Sequence, residues 1–272
     1  MKLRVYGCRG SAVFSRSSHY GGNTTCMVLE SGNSMILLDA GSGLIKLDAE
    51  LRKQFPGYPN DVPFELSLLL SHLHIDHING IIWFTPIWSK ESGMRIFTCS
   101  RDDRPLNEQV FGIFKPPYWP LDMAKVSQAE CCEVSGPFKI GELTITPFAA
   151  NHADKTQSFH ITDGQKTLVY SLDNEMPEQD TENTFELVKY CNNADMVVFD
   201  AAYLPKDYPP KRGWGHSTVQ DGVSLADVSG CKRLMFAHYG HEYTDDELDT
   251  LHEGITGDKR FVFAREGVEI DI

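Results

Sequence analysis

The 272 residues, 41% hydrophobic and 23% charged, suit a folded domain with a substantial core. A formal net charge of −13 argues against long nucleic acid or an anionic membrane as partner, and no apolar run approaches the ~18–20 residues that cross a bilayer. Seven scattered cysteines without a C-x-x-C pair, and an N-terminus without a long apolar region, point to a reduced cytoplasmic protein rather than a secreted disulfide framework.

In chain order, KLRVYGC (2–8) reads as a strand, followed by a polar loop to residue 23. TTCMVLES and SMILLDAG form a hairpin around Gly32-Asn33. SGLIKLDAELRKQF has helical spacing, with Leu44, Leu47 and Leu51 on one face, and stops at Pro56. FELSLLLS (64–71) is a buried strand, and DHINGIIWF opens a short helix that ends before Pro86. MRIFTCS is a strand; residues 101–130, with the aromatic segment KPPYWPLDM, form a lid or a pocket wall. Trp83 and Trp88 are expected in the core, Tyr118, Trp119 and Trp214 on a pocket wall. GELTITPFAANH, SFHITDG and KTLVYSLD are strands, TENTFELVKYCNNA (181–194) a helix and DMVVFDAAY a strand. STVQDGVSLADVSG is a helix with Ser217 as its N-cap, RLMFAHYG a strand, TDDELDTLHEGI a helix, and RFVFAREGVEIDI ends the chain as strands. No repeat or linker interrupts this series, so residues 1–272 are expected to form a single α/β domain, two mixed sheets inside and helices outside.

The stretch SHLHIDH (71–77) places three histidines and an aspartate in seven residues. Residues i and i+2 of an extended segment share a face, so His72 and His74 point the same way. Asp76 and His77 follow where the chain turns into a helix, whose positive end suits a carboxylate. Neutral imidazole and carboxylate are ligands for zinc and neighbouring first-row metals. His152, Asp173 and His238 each end an apolar strand-like run, where a mixed sheet presents side chains to a shared cleft. Asp200, in MVVFDAAY, is a further carboxylate at a strand end and competes with Asp173 for a metal role.

SHLHIDH matches the H-x-H-x-D-H motif, and the chain resembles the metallo-β-lactamase superfamily from about residue 3 to its C-terminus. ILLDAGSG before the motif, then a lone His, an Asp and a late His, follow the same order. GHST (215–218), with FAHYG after an apolar helix, is most similar to the phosphodiesterase branch, which includes ribonuclease Z and the cyclic phosphodiesterase of phosphonate breakdown. The resemblance implies a four-layer αββα sandwich with two mixed β-sheets. It implies two divalent metal ions, zinc with manganese or iron as alternatives: His72, His74 and His152 on the first, Asp76, His77 and His238 on the second, and Asp173 bridging. Asp39 would orient a ligand histidine, and Asp200 would support His216 rather than bind metal.

The activity implied is hydrolysis of a small nucleotide or cyclic phosphodiester by a hydroxide held between the metals, with Asp76, His216 and Asp200 catalytic. Homodimers are a common arrangement in the family. The absence of a basic, Gly-rich insertion disfavours a tRNA-processing nuclease. Two other functions use the same residues: a carboxylic ester or lactone hydrolase, and a non-catalytic metal-stabilised binding protein. A flavodiiron-like redox centre is disfavoured because its pattern has Glu where His74 stands.

Overall fold

Long apolar runs become strands buried on both faces. A computed structural model describes residues 1–14, 19–176, 182–255 and 257–272. The first sheet contains β1 (Lys2–Gly7), β2 (Cys26–Ser31), β3 (Ser34–Leu38), β4 (Glu65–Leu69), β5 (Arg95–Thr98) and β6 (Glu130–Glu133). The second contains β7 (Phe138–Ile140), β8 (Leu143–Ala149), β9 (Gln157–Thr162), β10 (Thr167–Ser171), β11 (Met196–Asp200), β12 (Leu234–Ala237) and β13 (Phe261–Phe263). The last strand, β14 (Glu269–Asp271), returns to the first sheet, giving the orders β14-β1-β2-β3-β4-β5-β6 and β13-β12-β11-β10-β9-β8-β7. Both sheets are mixed: β3 to β6 and β10 to β13 run parallel to their neighbours, and the remaining pairs are antiparallel. This is the predicted α/β sandwich.

Alternate residues of a strand face opposite ways. Leu29, Ile36, Leu38 and Leu69 join Ile145, Phe159 and Ile161 in the cluster between the sheets. Their neighbours Val28, Leu37 and Leu68 pack with Leu44, Leu47 and Leu51 of α1 (Gly43–Gln54) on the outer side of the first sheet. The helix ends before Pro56 and the hairpin turns at Gly32-Asn33, as the sequence predicts. Past His74, helix α2 covers only Ile75–Ile78 and single 3-10 turns follow, so Trp83 and Trp88 are exposed rather than in the core. Residues 101–130 form a wall: α3 (Leu106–Val110) and α4 (Met123–Val126) anchor it through Val110, Phe111, Phe114 and Met123. Strands β6 and β7 are not evident in the sequence, being short and partly polar; strand pairing defines them.

Helix α5 (Glu182–Cys191) matches the 181–194 prediction, whose first residue lies outside the described residues, as do residues 15–18 of the polar loop. Helix α6 (Val219–Ser229) is capped by Thr218, which shares a reciprocal capping box with Asp221. Ser217 is not the cap: it is buried, donating to the Asn174 carbonyl at 2.7 Å and accepting from the Met176 N–H at 2.9 Å. Helix α7 (Asp245–Glu253) follows an equivalent cap at Thr244.

The Arg9 side chain, wholly buried, ties the loop after β1 to the start of α7. Its Nε donates to the Gly21 carbonyl at 3.0 Å, its Nη1 to the Tyr243 carbonyl at 2.7 Å, and its Nη2 lies 3.2 Å from Asp245 Oδ1. Removing one partner of a buried ion pair typically costs about 3–5 kcal/mol. Arg9→Ala is expected to lower the unfolding free energy by that amount in chemical denaturation; a loss below about 1 kcal/mol would contradict this assignment.

Candidate functional site

The parallel strands converge their C-terminal ends on one cleft. Asp39 follows β3, Ser71 and His72 follow β4, Asp173 follows β10, Asp200 ends β11 and His238 follows β12. His74 is the extended residue that leads into α2, which carries Asp76 and His77; His152 lies three residues past β8. Asp39, Asp173 and His238 adopt left-handed backbone, with φ of 59°, 52° and 63°. Such conformations are costly for residues other than glycine and persist where the surrounding structure enforces them.

The seven predicted ligands come together in two groups. In the first, His74 Nδ1 is 3.1 Å from His152 Nε2, and the Nε2 atoms of His72 and His152 lie 3.7 and 3.5 Å from Asp173 Oδ1. In the second, His77 Nε2 is 3.2 Å from His238 Nε2, and these two atoms lie 3.0 and 3.2 Å from Asp173 Oδ2. Asp76 Oδ2 completes it, 3.3 Å from His238 Nε2. Asp173 thus turns one oxygen to each group. His72 Nε2 is buried without a hydrogen-bond partner.

The opposite faces of the rings are already engaged. His77 Nδ1 is 2.8 Å from Asp39 Oδ2, His152 Nδ1 is 3.0 Å from the Gly215 carbonyl, and His72 Nδ1 is 3.0 Å from Ser71 Oγ. Contacts of this kind fix the tautomer and orient a ligating imidazole. Asp39 also accepts from Ser71 and from the Tyr170 hydroxyl at 2.8 Å. Asp200 does not enter either group. Its Oδ2 is 2.8 Å from His216 Nδ1 and accepts the Asp173 N–H at 3.0 Å, while Oδ1 accepts the Ala202 and Ser217 N–H groups.

Electrostatics follow from this crowding. Burial drives His72 well below the usual imidazole pKa, aided by His77, and burial also lowers His74 and His152. Burial favours neutral His77 as well, but Asp173, Asp76 and Asp39 override it and raise its pKa well above normal. Burial opposes ionised Asp173 and Asp76, yet the facing imidazoles hold both below the usual carboxylate range. The two carboxylates therefore demand positive charge, from a proton on His77 or from a cation. Neutral imidazoles with oriented far sides, ionised carboxylates and an unpartnered buried donor atom fit first-row divalent metals.

Three other histidines lie outside both groups. His241 is exposed and 3.6 Å from Glu242, His160 packs on Tyr190, and His252 on Phe263. Three contributors have no sequence signature. The Ser11 N–H donates to Asp76 Oδ2 at 2.7 Å, from a loop held so close that a Cβ on Gly10 would lie 2.4 Å from the His238 ring. Tyr170 anchors Asp39. Buried Glu175 accepts from the Gly213 and Gly215 N–H groups at 2.7 and 2.9 Å and from the Tyr208 hydroxyl at 2.7 Å. It pins the GHST loop, whose Gly215 has φ of 84° and leaves no room for a Cβ beside His152. Glu175→Ala is expected to weaken metal retention about 10–100-fold in competition with a chelator, and Glu175→Gln less; unchanged retention in Glu175→Ala would contradict the pinning role.

Residues 34–239 match the family described as Beta-lactamase superfamily domain. The probable metallo-hydrolase YhfI of Bacillus subtilis is 25% identical over 253 residues, covering 91% of each chain. A ribonuclease Z of Bradyrhizobium diazoefficiens is 21% identical over 280 residues, covering 83% of this chain and 87% of its own. The crystal structure of YhfI matches with a TM-score of 0.71 at 21% identity, covering 99% of this chain and 98% of that one. A diphosphatase from the PhnP family matches with a TM-score of 0.70 at 14% identity, covering 100% and 97%. The two solved structures share the two-sheet sandwich, and the family match runs from β3 to just past the last candidate ligand, His238: the chain belongs to the metallo-β-lactamase superfamily.

Proposed function

We propose that this protein is a dinuclear metal-dependent phosphodiesterase acting on a small nucleotide or cyclic phosphodiester, working in the cytoplasm as one domain over residues 1–272. The observation that carries this reading is the pairing of a carboxylate that faces two ligand groups, Asp173, with a histidine oriented at their edge, His216. His72, His74 and His152, and Asp76, His77 and His238, together with Asp173, would hold two divalent cations, zinc with manganese or iron as alternatives; these would supply Lewis acidity toward a phosphoryl oxygen and acidify a water.

The chain's own residues do the rest. Asp76 keeps one carboxylate oxygen on the Ser11 N–H while it positions the attacking water. His216 gives Nδ1 to Asp200, which leaves Nε2 to donate a hydrogen bond to the phosphoryl group and a proton to the departing oxygen. Burial disfavours the charged ring, but Asp200 outweighs it, with help from Asp173 and Asp76, and the His216 pKa is pushed up to about 9. Asp200 thus favours the acid form of the ring, which is lost as pH rises. Relatives named ribonuclease Z and a PhnP-family diphosphatase favour phosphorus over carbon as the centre attacked. The net charge of −13 favours a small substrate over a long nucleic acid.

The metal-loaded protein is expected to hydrolyse bis-p-nitrophenyl phosphate or a cyclic nucleotide, and His216→Ala to lose about 10²–10⁴-fold in kcat with its metals retained. Absence of phosphodiester turnover with zinc, manganese and iron, together with turnover of a lactone or thioester, would reverse the assignment. In the wild type, kcat is expected to fall as pH rises through the His216 pKa. Cations offset the contributions of Asp173 and Asp76, so this limb lies at or below pH about 9. His216→Ala should lose the limb; its persistence there would show that another group is the acid.

A further inference from the structure

Buried tyrosines in this fold give their hydroxyls to the protein. Tyr6 and Tyr20 donate to Glu50 and Asp249 at 2.8 and 2.9 Å, and Tyr170 to Asp39 at 2.8 Å. Tyr239 donates to the Phe236 carbonyl at 2.6 Å and Tyr243 to Asp207 at 3.0 Å. Tyr203 is the exception. The residue is 8% exposed, and its hydroxyl has no hydrogen-bond partner among the described residues. That oxygen is not among the unpartnered polar atoms sealed from solvent, so an incoming group can reach it. A sheltered hydroxyl is ordinarily paired, and one left open calls for an acceptor from outside the chain.

Its neighbours put Tyr203 beside the candidate acid. It lies three residues past Asp200, and its N–H donates to the Ser217 carbonyl at 3.2 Å, so its backbone runs next to GHST. Its ring meets the His216 ring edge-on, with centroids 5.5 Å apart at 88°. His216 in turn stacks on His238 at 5.1 Å and meets His152 at 5.0 Å. Lys211 Nζ sits 4.3 Å from the Tyr203 ring centroid and 2.7 Å from Glu242 Oε1, a pairing that holds the ring in place. Burial, then Asp200, Glu242, Glu175 and Asp173, raise the phenol pKa, so the hydroxyl keeps its proton and stays a donor. It therefore lies in the field of Asp173, the carboxylate that faces both ligand groups. His216 Nε2 is likewise unpartnered and unsealed, which leaves two open donors on touching rings. We propose that Tyr203 contacts the substrate: its hydroxyl donates a hydrogen bond to a phosphoryl oxygen at the candidate metal centre, beside His216. This rests on the phosphodiesterase reading above.

Turnover of bis-p-nitrophenyl phosphate by the metal-loaded protein, wild type against Tyr203→Phe, tests the proposal, because Phe removes one oxygen and keeps the ring against His216. Loss of a hydrogen bond to an anionic group is expected to lower kcat/KM about 10–100-fold. Metal content and the alkaline limb of the pH profile are expected to be retained. The melting temperature is expected to hold or rise, since the hydroxyl binds nothing in the fold. A kcat/KM within about twofold of the wild type overturns the proposal and leaves the phosphodiesterase reading standing. If Tyr203→Ala then loses activity where Tyr203→Phe does not, the ring is only a support for His216. A lowered melting temperature in Tyr203→Phe gives the hydroxyl to the fold, and loss of metal or of the alkaline limb gives it to the ligands or to His216; each overturns the proposal. Absence of phosphodiester turnover by the wild type with zinc, manganese and iron overturns both readings.

Discussion

The arrangement depends on one buried carboxylate. Asp173 faces His72 and His152 with one oxygen and His77 and His238 with the other. Taken out of water, such a group is tolerated only when it is paired, and four imidazoles around it are themselves poor company unless positive charge is supplied. The fold accepts left-handed backbone at Asp173 to put it there, and fixes that backbone by giving its N–H to Asp200. The same Asp200 oxygen holds His216. The placements of Asp173 and His216 are therefore one piece of geometry.

The sheets explain why these residues meet. Parallel strands β3, β4, β10, β11 and β12 all end at one edge, and each delivers a polar residue at or just beyond its last ladder position. The strands are buried on both faces and, apart from Ser67 in β4 and Tyr170 in β10, carry their polar residues at their ends.

Much of this was legible in the sequence because it is local. The spacing in SHLHIDH predicts that His72, His74, Asp76 and His77 converge; the structure puts His72 and His74 in one group and Asp76 and His77 in the other. His152, Asp173 and His238 were marked by ending apolar runs. The choice of Asp173 over Asp200 came from likeness to the ribonuclease Z pattern, since both are carboxylates at strand ends. What was not legible acts across long separations or through backbone. Glu175 accepts from Gly213 and Gly215, 38 and 40 residues on, and the Ser11 contact to Asp76 uses only an amide. Trp83 and Trp88, expected in the core, are exposed on single 3-10 turns. Ser217 and Thr218 are equally good caps by type, and burial of Ser217 against Asn174 decides between them.

The central claim is that Asp173 serves two cations at once. Metal content of the purified, zinc-equilibrated protein, measured by inductively coupled plasma mass spectrometry for the wild type and Asp173→Asn, tests it most directly. The account predicts about two ions per wild-type chain and about one or fewer in the variant, since a bridging ligand belongs to both sites. One ion or none in the wild type, or undiminished content in Asp173→Asn, would contradict it.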